Sequence, residues 1–303
     1  MFAQNKNNAN GAANELSVGA CTSEINEPSQ KRICIIVGAS PATKLPQNFP
    51  QLCSGDVLLI AADGGYNFCK ERGVVPNIVI ADFDSLERQS FDENQVELHV
   101  LPQEKDDTDL IASCKEGLAH SCTTFYLYGV SGADEGHSIA AIQALNFLAA
   151  HNARGFICSN LQLMYLIKPQ DGLMPVYALG ECETSACEAD ACEIGTDGLN
   201  ASALNRNKTA ASMLNTNTLN ADSLNESAPP AACSPLKRAP KNTRVSVFSF
   251  SNVANGVIER GLKWKLEGAT LTSEFPLGVS NVVVSDDACI GVSEGTLLVI
   301  VGE

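Results

Sequence analysis

From Arg32 onward, short apolar runs alternate with stretches of helical period. Ile33-Cys34-Ile35-Ile36-Val37-Gly38, Val57 to Ala62 and Ile78 to Ala81 predict three strands; Glu97 to Leu101 and Thr124 to Tyr128 predict two more. Tyr66 to Arg72 fits a short helix stopped by Gly73, with Pro76 just beyond. Thr108 to Leu118 fits a second helix, capped by Thr108 or Asp107, and His137 to Ala150 a longer third. Gly155 to Ser159 and Leu161 to Ile167 add strands. Runs rich in Ile and Val without polar alternation belong to strands buried on both faces. Strands alternating with helices predict a mostly parallel, layered sheet.

After Ile167 the pattern changes. Met174 to Leu179, Val245 to Phe250, Val257 to Leu266, Asn281 to Val284 and Thr296 to Val301 are short β-rich runs between turn residues, with no helical period. These predict an antiparallel sandwich or barrel. The expected fold is an α/β N-terminal domain with a mostly parallel sheet (32–170), then an all-β C-terminal domain (171–303).

That second domain carries an insert at 181–242 with a period of five, seen in Cys182, Cys187 and Cys192 and in Leu199, Leu204, Leu214, Leu219 and Leu224. A step of five turns a helical side chain by about 140° and so puts these residues on no common face. On a strand, an odd step alternates faces. A four-sided β-solenoid would accept the period, but Asp197, Asn207, Asn217 and Asp222 fall where its inward positions need small residues. The insert therefore reads as low complexity with no catalytic role. Residues 1–31, rich in Asn, Ala and Ser and without a continuous apolar stretch, read as a disordered leader.

Composition narrows the function. A net charge of −15 argues against nucleic acid and against an anionic membrane surface as partners. No apolar run approaches the roughly 18 residues of a membrane helix. The 12 cysteines include no C-x-x-C pair, and the 4 histidines lie apart from them. Thiols packed as small hydrophobes in a reduced, cytoplasmic protein are expected, not zinc ligands or disulfides.

The candidate chemistry is carboxylate chemistry. Asp63-Gly64-Gly65 follows one strand, and Asp82-Phe83-Asp84-Ser85 follows the next. Glu104-Lys105-Asp106-Asp107-Thr108-Asp109 opens a helix. In open α/β sheets ligands bind beyond the carboxyl ends of the strands, so these clusters would meet along one edge. Clustered carboxylates repel unless a cation lies among them, which points to Mg²⁺ facing a phosphorylated ligand. Each cluster also has a plainer reading. Asp82 or Asp84 would cap the segment at Ser85, the acids of 106–109 would suit any first helical turn, and Asp63-Gly64-Gly65 would be a simple turn. No G-x-x-x-x-G-K-[ST] occurs, which excludes a P-loop enzyme.

In order and spacing, Ala62-Asp63-Gly64-Gly65, Asp82-Phe83-Asp84-Ser85 and Lys105-Asp106-Asp107-Thr108-Asp109 resemble the thiamine pyrophosphokinase family. Gly261-Leu262-Lys263-Trp264-Lys265-Leu266 and Gly278-Val279-Ser280-Asn281 are similar to that family's C-terminal signatures. The resemblance implies transfer of a diphosphoryl group from ATP to thiamine. It further implies Mg²⁺ held by Asp82, Asp84 and Asp109, with Asp106 or Asp109 serving the hydroxyl. Asp63, Gly64, Gly65, Lys105, Thr108, Gly132 and His137 would lie toward the nucleotide. Ser280 and Asn281 would approach thiamine across a homodimer interface.

One loop departs from the pattern. Gly132 and His137 match a Gly-Gly-Arg-x-Asp-His run, but Asp134 stands where Arg is expected, Gly136 where Asp is, and Ala141 where Asn is. Losing a guanidinium that would meet phosphate should weaken nucleotide binding. Two alternatives follow. One is a catalytically weakened thiamine- or nucleotide-binding homologue. The other is a haloacid-dehalogenase-like phosphatase with Asp82 as nucleophile, Asp84 as acid/base, and Val284-Ser285-Asp286-Asp287 as its late acidic pair.

Overall fold

The computed structural model describes residues 32–41, 44–81, 96–101, 107–160, 162–180 and 234–302. The expected leader and most of the insert lie outside these residues, as do Asp82, Asp84, Lys105 and Asp106. The described residues all belong to one compact unit.

The N-terminal half runs β1 (Arg32–Val37), α1 (Phe49–Leu52), β2 (Val57–Ala62), α2 (Gly65–Glu71), β3 (Ile78–Ala81), β4 (Glu97–Val100), α3 (Asp109–Ala119), β5 (Cys122–Tyr128), α4 (Glu135–Ala150) and β6 (Arg154–Cys158). After it come β7 (Gln162–Ile167), β8 (Met174–Pro175), β9 (Tyr177–Leu179), β10 (Leu236–Arg238), β11 (Arg244–Ser249) and β12 (Val253–Arg260). The chain closes with β13 (Leu266–Thr272), β14 (Gly278–Val282), β15 (Cys289–Gly291) and β16 (Leu297–Gly302).

Ten strands make one sheet in the order β14-β11-β16-β7-β6-β5-β1-β2-β3-β4. From β6 to β4 all neighbours are parallel, as the continuous apolar runs predict. The Ser159 turn reverses the chain, and β7, β16, β11 and β14 continue the same sheet antiparallel. A second sheet, β13-β12-β15-β8, lies against this antiparallel end. Val245, Val247, Val299 and Val301 of the large sheet share a core with Ala254, Val257, Leu271 and Ile290 of the small one. The expected sandwich is therefore present, and one of its two sheets is the extension of the α/β sheet.

Both faces of the parallel part are covered. Ile35, Val37, Leu59 and Ala61 face α1 and α2 through Phe49, Leu52, Tyr66 and Cys69. The alternate residues Cys34, Ile36, Leu58 and Ile60 face α3 and α4 through Cys114, Ala144, Leu145 and Leu148. Period two along each strand thus feeds two separate cores. On α4, Ala141, Ala144, Leu145 and Leu148 recur at helical spacing and are all buried.

Several elements differ from expectation. Met174 to Leu179 divides at Val176 into two strands of different sheets, because Val176 N–H donates to the Ala288 carbonyl while its own carbonyl accepts from Ala239. Leu236–Arg238, expected within the insert, pairs with Tyr177–Leu179. A three-residue strand with one apolar side chain leaves no periodic signal. The expected run from Val257 to Leu266 belongs to a hairpin of β12 and β13, with bulges between Ala254 and Ile258. Such bulges break the alternation by which strands are read.

Candidate active site at the carboxyl edge of the sheet

From β1 the chain steps outward through β2 and β3 to β4, then returns by α3 to place β5 on the other side of β1. The loops leaving β1 and β5 therefore diverge, which makes this the topological switch point where a ligand crevice forms. The two strand ends approach closely. A Cβ on Gly38 would lie 2.6 Å from the Gly129 carbonyl oxygen, and one on Gly129 would lie 2.3 Å from that of Gly38. Gly38 N–H donates to the Tyr128 carbonyl (2.7 Å) and Ser40 N–H to the Gly129 carbonyl (2.8 Å). The Ser40 hydroxyl donates to the Ser131 carbonyl at 2.9 Å. Sequence reasoning passed over Gly38, Ser40, Gly129 and Ser131. A glycine ending the first strand and another ending the fifth were the available signal.

Asp63 follows β2 at this edge. Its φ of +48° lies in the left-handed region, which Asp tolerates better than most residues. Its N–H donates to the Ile80 carbonyl (2.8 Å), extending the β2–β3 ladder by one bond. The turn thus has its positive φ at Asp63, while Gly64 is right-handed. Gly65 is needed for another reason: a Cβ there would come 1.9 Å from the Val37 carbonyl oxygen. Its role is the close packing of α2 on β1.

The start of α3 reaches the same edge. Thr108 is its N-cap, accepting from Ile111 N–H at 3.2 Å. Asp109 lies in the first turn, and its carbonyl accepts from the Ser113 hydroxyl (2.7 Å). Asp107 pairs with Lys115 at 2.6 Å. β3 ends at Ala81, so Asp82 and Asp84 lie just beyond the described strand.

At the start of α4, Asp134 is the N-cap, and its carboxylate accepts from His137 N–H at 2.8 Å. Ser138 closes the turn, its hydroxyl donating to the Asp134 carbonyl (2.7 Å) and accepting from Gly132 N–H (3.0 Å). The His137 side chain is 85% exposed, with Nδ1 3.9 Å from the Asp134 carboxylate.

Ser280 and Asn281 sit on β14, at the outer edge of the large sheet. Ser280 has φ +59°, and its N–H donates to the Ser246 hydroxyl at 3.0 Å. Asn281 is only 4% exposed. Its Nδ2 donates to Glu259 Oε2 (2.8 Å) and to the Trp264 carbonyl (2.6 Å). Its Oδ1 accepts from the N–H groups of Trp264 (3.0 Å) and Val282 (2.9 Å). Burial pushes the Glu259 carboxyl up to about 7, an effect moderated by the Asn281 bond. Among the described residues, the side-chain partners of Ser280 and Asn281 are in the β-rich half. Within one chain, these bonds do not join the two residues to the Asp63–Asp109 edge.

Three of the described thiols are unsuited to this chemistry. Burial pushes Cys69, Cys114 and Cys158 up to about 12, so they stay protonated and poor as ligands. Among the described residues, no group of three or more His, Cys, Asp and Glu is arranged to hold a metal, and no helix is long and apolar enough to cross a membrane.

Two family models match the chain in order. The thiamin pyrophosphokinase catalytic domain matches residues 49–157, and the thiamin pyrophosphokinase vitamin B1 binding domain matches 235–297. Together they span more than half of the sequence. The chain belongs to the thiamin pyrophosphokinase family.

It is 28% identical over 113 residues to thiamine pyrophosphokinase of Bacillus subtilis, an alignment that covers 36% of this chain and 52% of the relative. The chain thus spans about half the length of this curated relative. Solved structures share the fold more fully. The B. subtilis thiamine pyrophosphokinase structure superposes with TM-score 0.60 at 15% identity, covering 89% of this chain and 98% of the other. That of yeast gives 0.58 at 13%, covering 92% and 88%. The Candida albicans structure gives 0.58 at 11%, covering 90% of each.

Against the thiamin pyrophosphokinase pattern, the altered loop now has a local explanation. Asp134, where the resemblance gives Arg, serves as a helix cap instead of reaching outward. Ala141, where it gives Asn, is fully buried on the sheet-facing side of α4, a position that an amide would occupy only at a desolvation cost.

Proposed function

We propose that this chain transfers the β,γ-diphosphoryl group of ATP to the hydroxyl of thiamine, giving thiamine diphosphate and AMP. The observation that carries this reading is the pair of family matches, catalytic and vitamin B1 binding, in one chain and in that order. The thiamine oxygen attacks the β-phosphorus, the bond from that phosphorus to the α,β-bridging oxygen breaks, and AMP leaves with the electron pair. Asp106 or Asp109 takes the hydroxyl proton. Because both reactants are held, the main contributions are positioning and charge neutralisation.

The residues available suit Mg²⁺. The edge offers carboxylate oxygens, which hard divalent cations prefer, and its thiols are protonated and buried. Asp82, Asp84 and Asp109 would hold the ion, which when bound supplies positive charge to the phosphate oxygens. Lys105 adds a point charge to the same phosphates. Asp63, Gly64, Gly65, Thr108, Gly132 and His137 line the nucleotide side. Ser280 meets thiamine across a homodimer interface, while buried Asn281, its amide fully engaged by protein groups, holds the Trp264 segment beside it; exposed Trp264, Phe275, Leu277 and Val279 in the β-rich half support such an interface. A cytoplasmic location fits the reduced thiols.

A weakened binding homologue is the second reading, favoured by the Asp134 cap, which puts a carboxylate at the N-terminus of α4 where a phosphate would otherwise be favoured. The family assignment gives the phosphatase alternative no support, and Asp286 pairs with Lys241 at 3.2 Å. Incubating the purified chain with ATP, Mg²⁺ and thiamine separates these readings. Equal amounts of AMP and thiamine diphosphate are expected. Thiamine binding without AMP would replace the enzyme with the binding homologue.

A further inference from the structure

Glu259 belongs to none of the motifs above, yet it is 1% exposed in the sandwich core. It stands on β12 of the small sheet and reaches Asn281 on β14 of the large one, so its bond joins the two sheets. Its other oxygen, Oε1, is buried with no hydrogen-bond partner among the described residues. A buried carboxyl with one oxygen unsatisfied is costly and calls for an explanation.

The geometry of Asn281 supplies one. An Asn amide has two N–H groups and an oxygen, and here all are engaged: Oδ1 faces two N–H donors, and Nδ2 faces two acceptors. A flipped amide would turn its NH₂ toward the N–H groups of Trp264 and Val282. The two N–H groups and the Trp264 carbonyl fix the orientation, and Glu259 accepts the remaining Nδ2 hydrogen, which would otherwise be buried without an acceptor. Asn281 in turn holds both backbone groups of Trp264, a residue 56% exposed with Lys263 Nζ 4.7 Å from its ring centroid.

We propose that Glu259 is a positioning residue: acting through the Asn281 amide, it fixes the Trp264 segment beside the Ser280 turn to which the proposed function assigns thiamine. The thiamine clause rests on the proposed function; the positioning of Trp264 does not. The charged groups around Glu259 leave it to itself. Glu267 of β13 pairs with Arg260 at 3.1 Å on the exposed side of the hairpin, β15 brings Cys289 and Ile290 alongside, and Lys263 and Lys265 flank Trp264. Burial and the Asn281 bond account for its raised value of about 7. Losing the proton therefore places a charge in the core that only the Asn281 N–H bond, itself strengthened, offsets, while glutamine keeps the acceptor without the titration.

The chain contains one tryptophan, so its fluorescence reads Trp264 directly. The full chain would be compared with Glu259→Gln and Glu259→Leu between pH 5 and 9, recording Trp emission and then thiamine and ATP kinetics. Wild-type emission is expected to move with a midpoint near 7, while Glu259→Gln stays flat and keeps its thiamine KM within about twofold. Glu259→Leu should shift emission at every pH and raise the thiamine KM about tenfold, with ATP KM and kcat little changed. A folded Glu259→Leu with wild-type emission and thiamine KM overturns the proposal, as does a Glu259→Gln whose emission still titrates near 7. Should the leucine variant not fold, the glutamine comparison decides. If no variant, wild type included, turns over thiamine, the proposed function fails, and the emission profiles still decide the positioning of Trp264.

Discussion

The two regions that carry the candidate site are built on opposite principles. At the carboxyl edge, positions are set by the backbone: strand ends, a left-handed Asp63, and glycines where Val37 and Gly129 press close. In the sandwich, positions are set by side chains, with Asn281 and Glu259 making buried bonds that hold the Trp264 backbone. A backbone-built edge tolerates changes in side-chain chemistry as long as the turns survive. A network of buried polar side chains fails as a unit when one member is removed. Asp134 shows the tolerance of the first kind, replacing an expected Arg while α4 keeps a capped start.

Substitutions in the two regions should differ in what they cost. The largest effect should come from Asp82→Asn: transfer falling by about a thousandfold, with the melting temperature unchanged. A Mg²⁺-dependent variant of wild-type activity would remove Asp82 from the metal set. Next, Gly65→Ala should destabilise the fold by about 3 kcal/mol or more in urea titration, because the new methyl meets backbone, which cannot swing aside.

Glu259→Gln should change the pH dependence of stability. The carboxyl value rises from 4.5 to about 7 on folding, so folding favours the protonated form. Its contribution is full below about 4.5 and is lost as pH rises through about 7, a decline of up to about 3 kcal/mol. Urea midpoints measured at pH 4.5 and 8 should fall more steeply for wild type than for the glutamine variant. The smallest effect belongs to Thr108→Ala, about 1 kcal/mol for a lost cap. A larger loss of ATP affinity than of stability would show that Thr108 serves the ligand as well as the helix.

The α/β half was legible because its strands are buried on both faces and so appear as unbroken apolar runs such as Ile33–Val37. The carboxylates proposed for its site stand out in the sequence because they follow those runs directly. The switch-point glycines were harder to read, since Gly38 and Gly129 matter only through each other across the β1–β5 pair. The sandwich was partly legible: its β-rich runs were plain, but bulges in β12 and three-residue strands such as Cys289–Gly291 leave little pattern. Glu259 was invisible in sequence, because a lone Glu in a strand reads as an outward residue. Only its partner 22 positions away reveals that it points inward.

Diphosphoryl transfer, as opposed to transfer of a single phosphoryl group, is decided by the position of label. With ATP labelled at the β-phosphate, Mg²⁺ and thiamine, all transferred label should appear in thiamine diphosphate, with unlabelled AMP in equal amount and no ADP. Appearance of ADP with thiamine monophosphate would contradict it, since that pair requires attack at the γ-phosphorus.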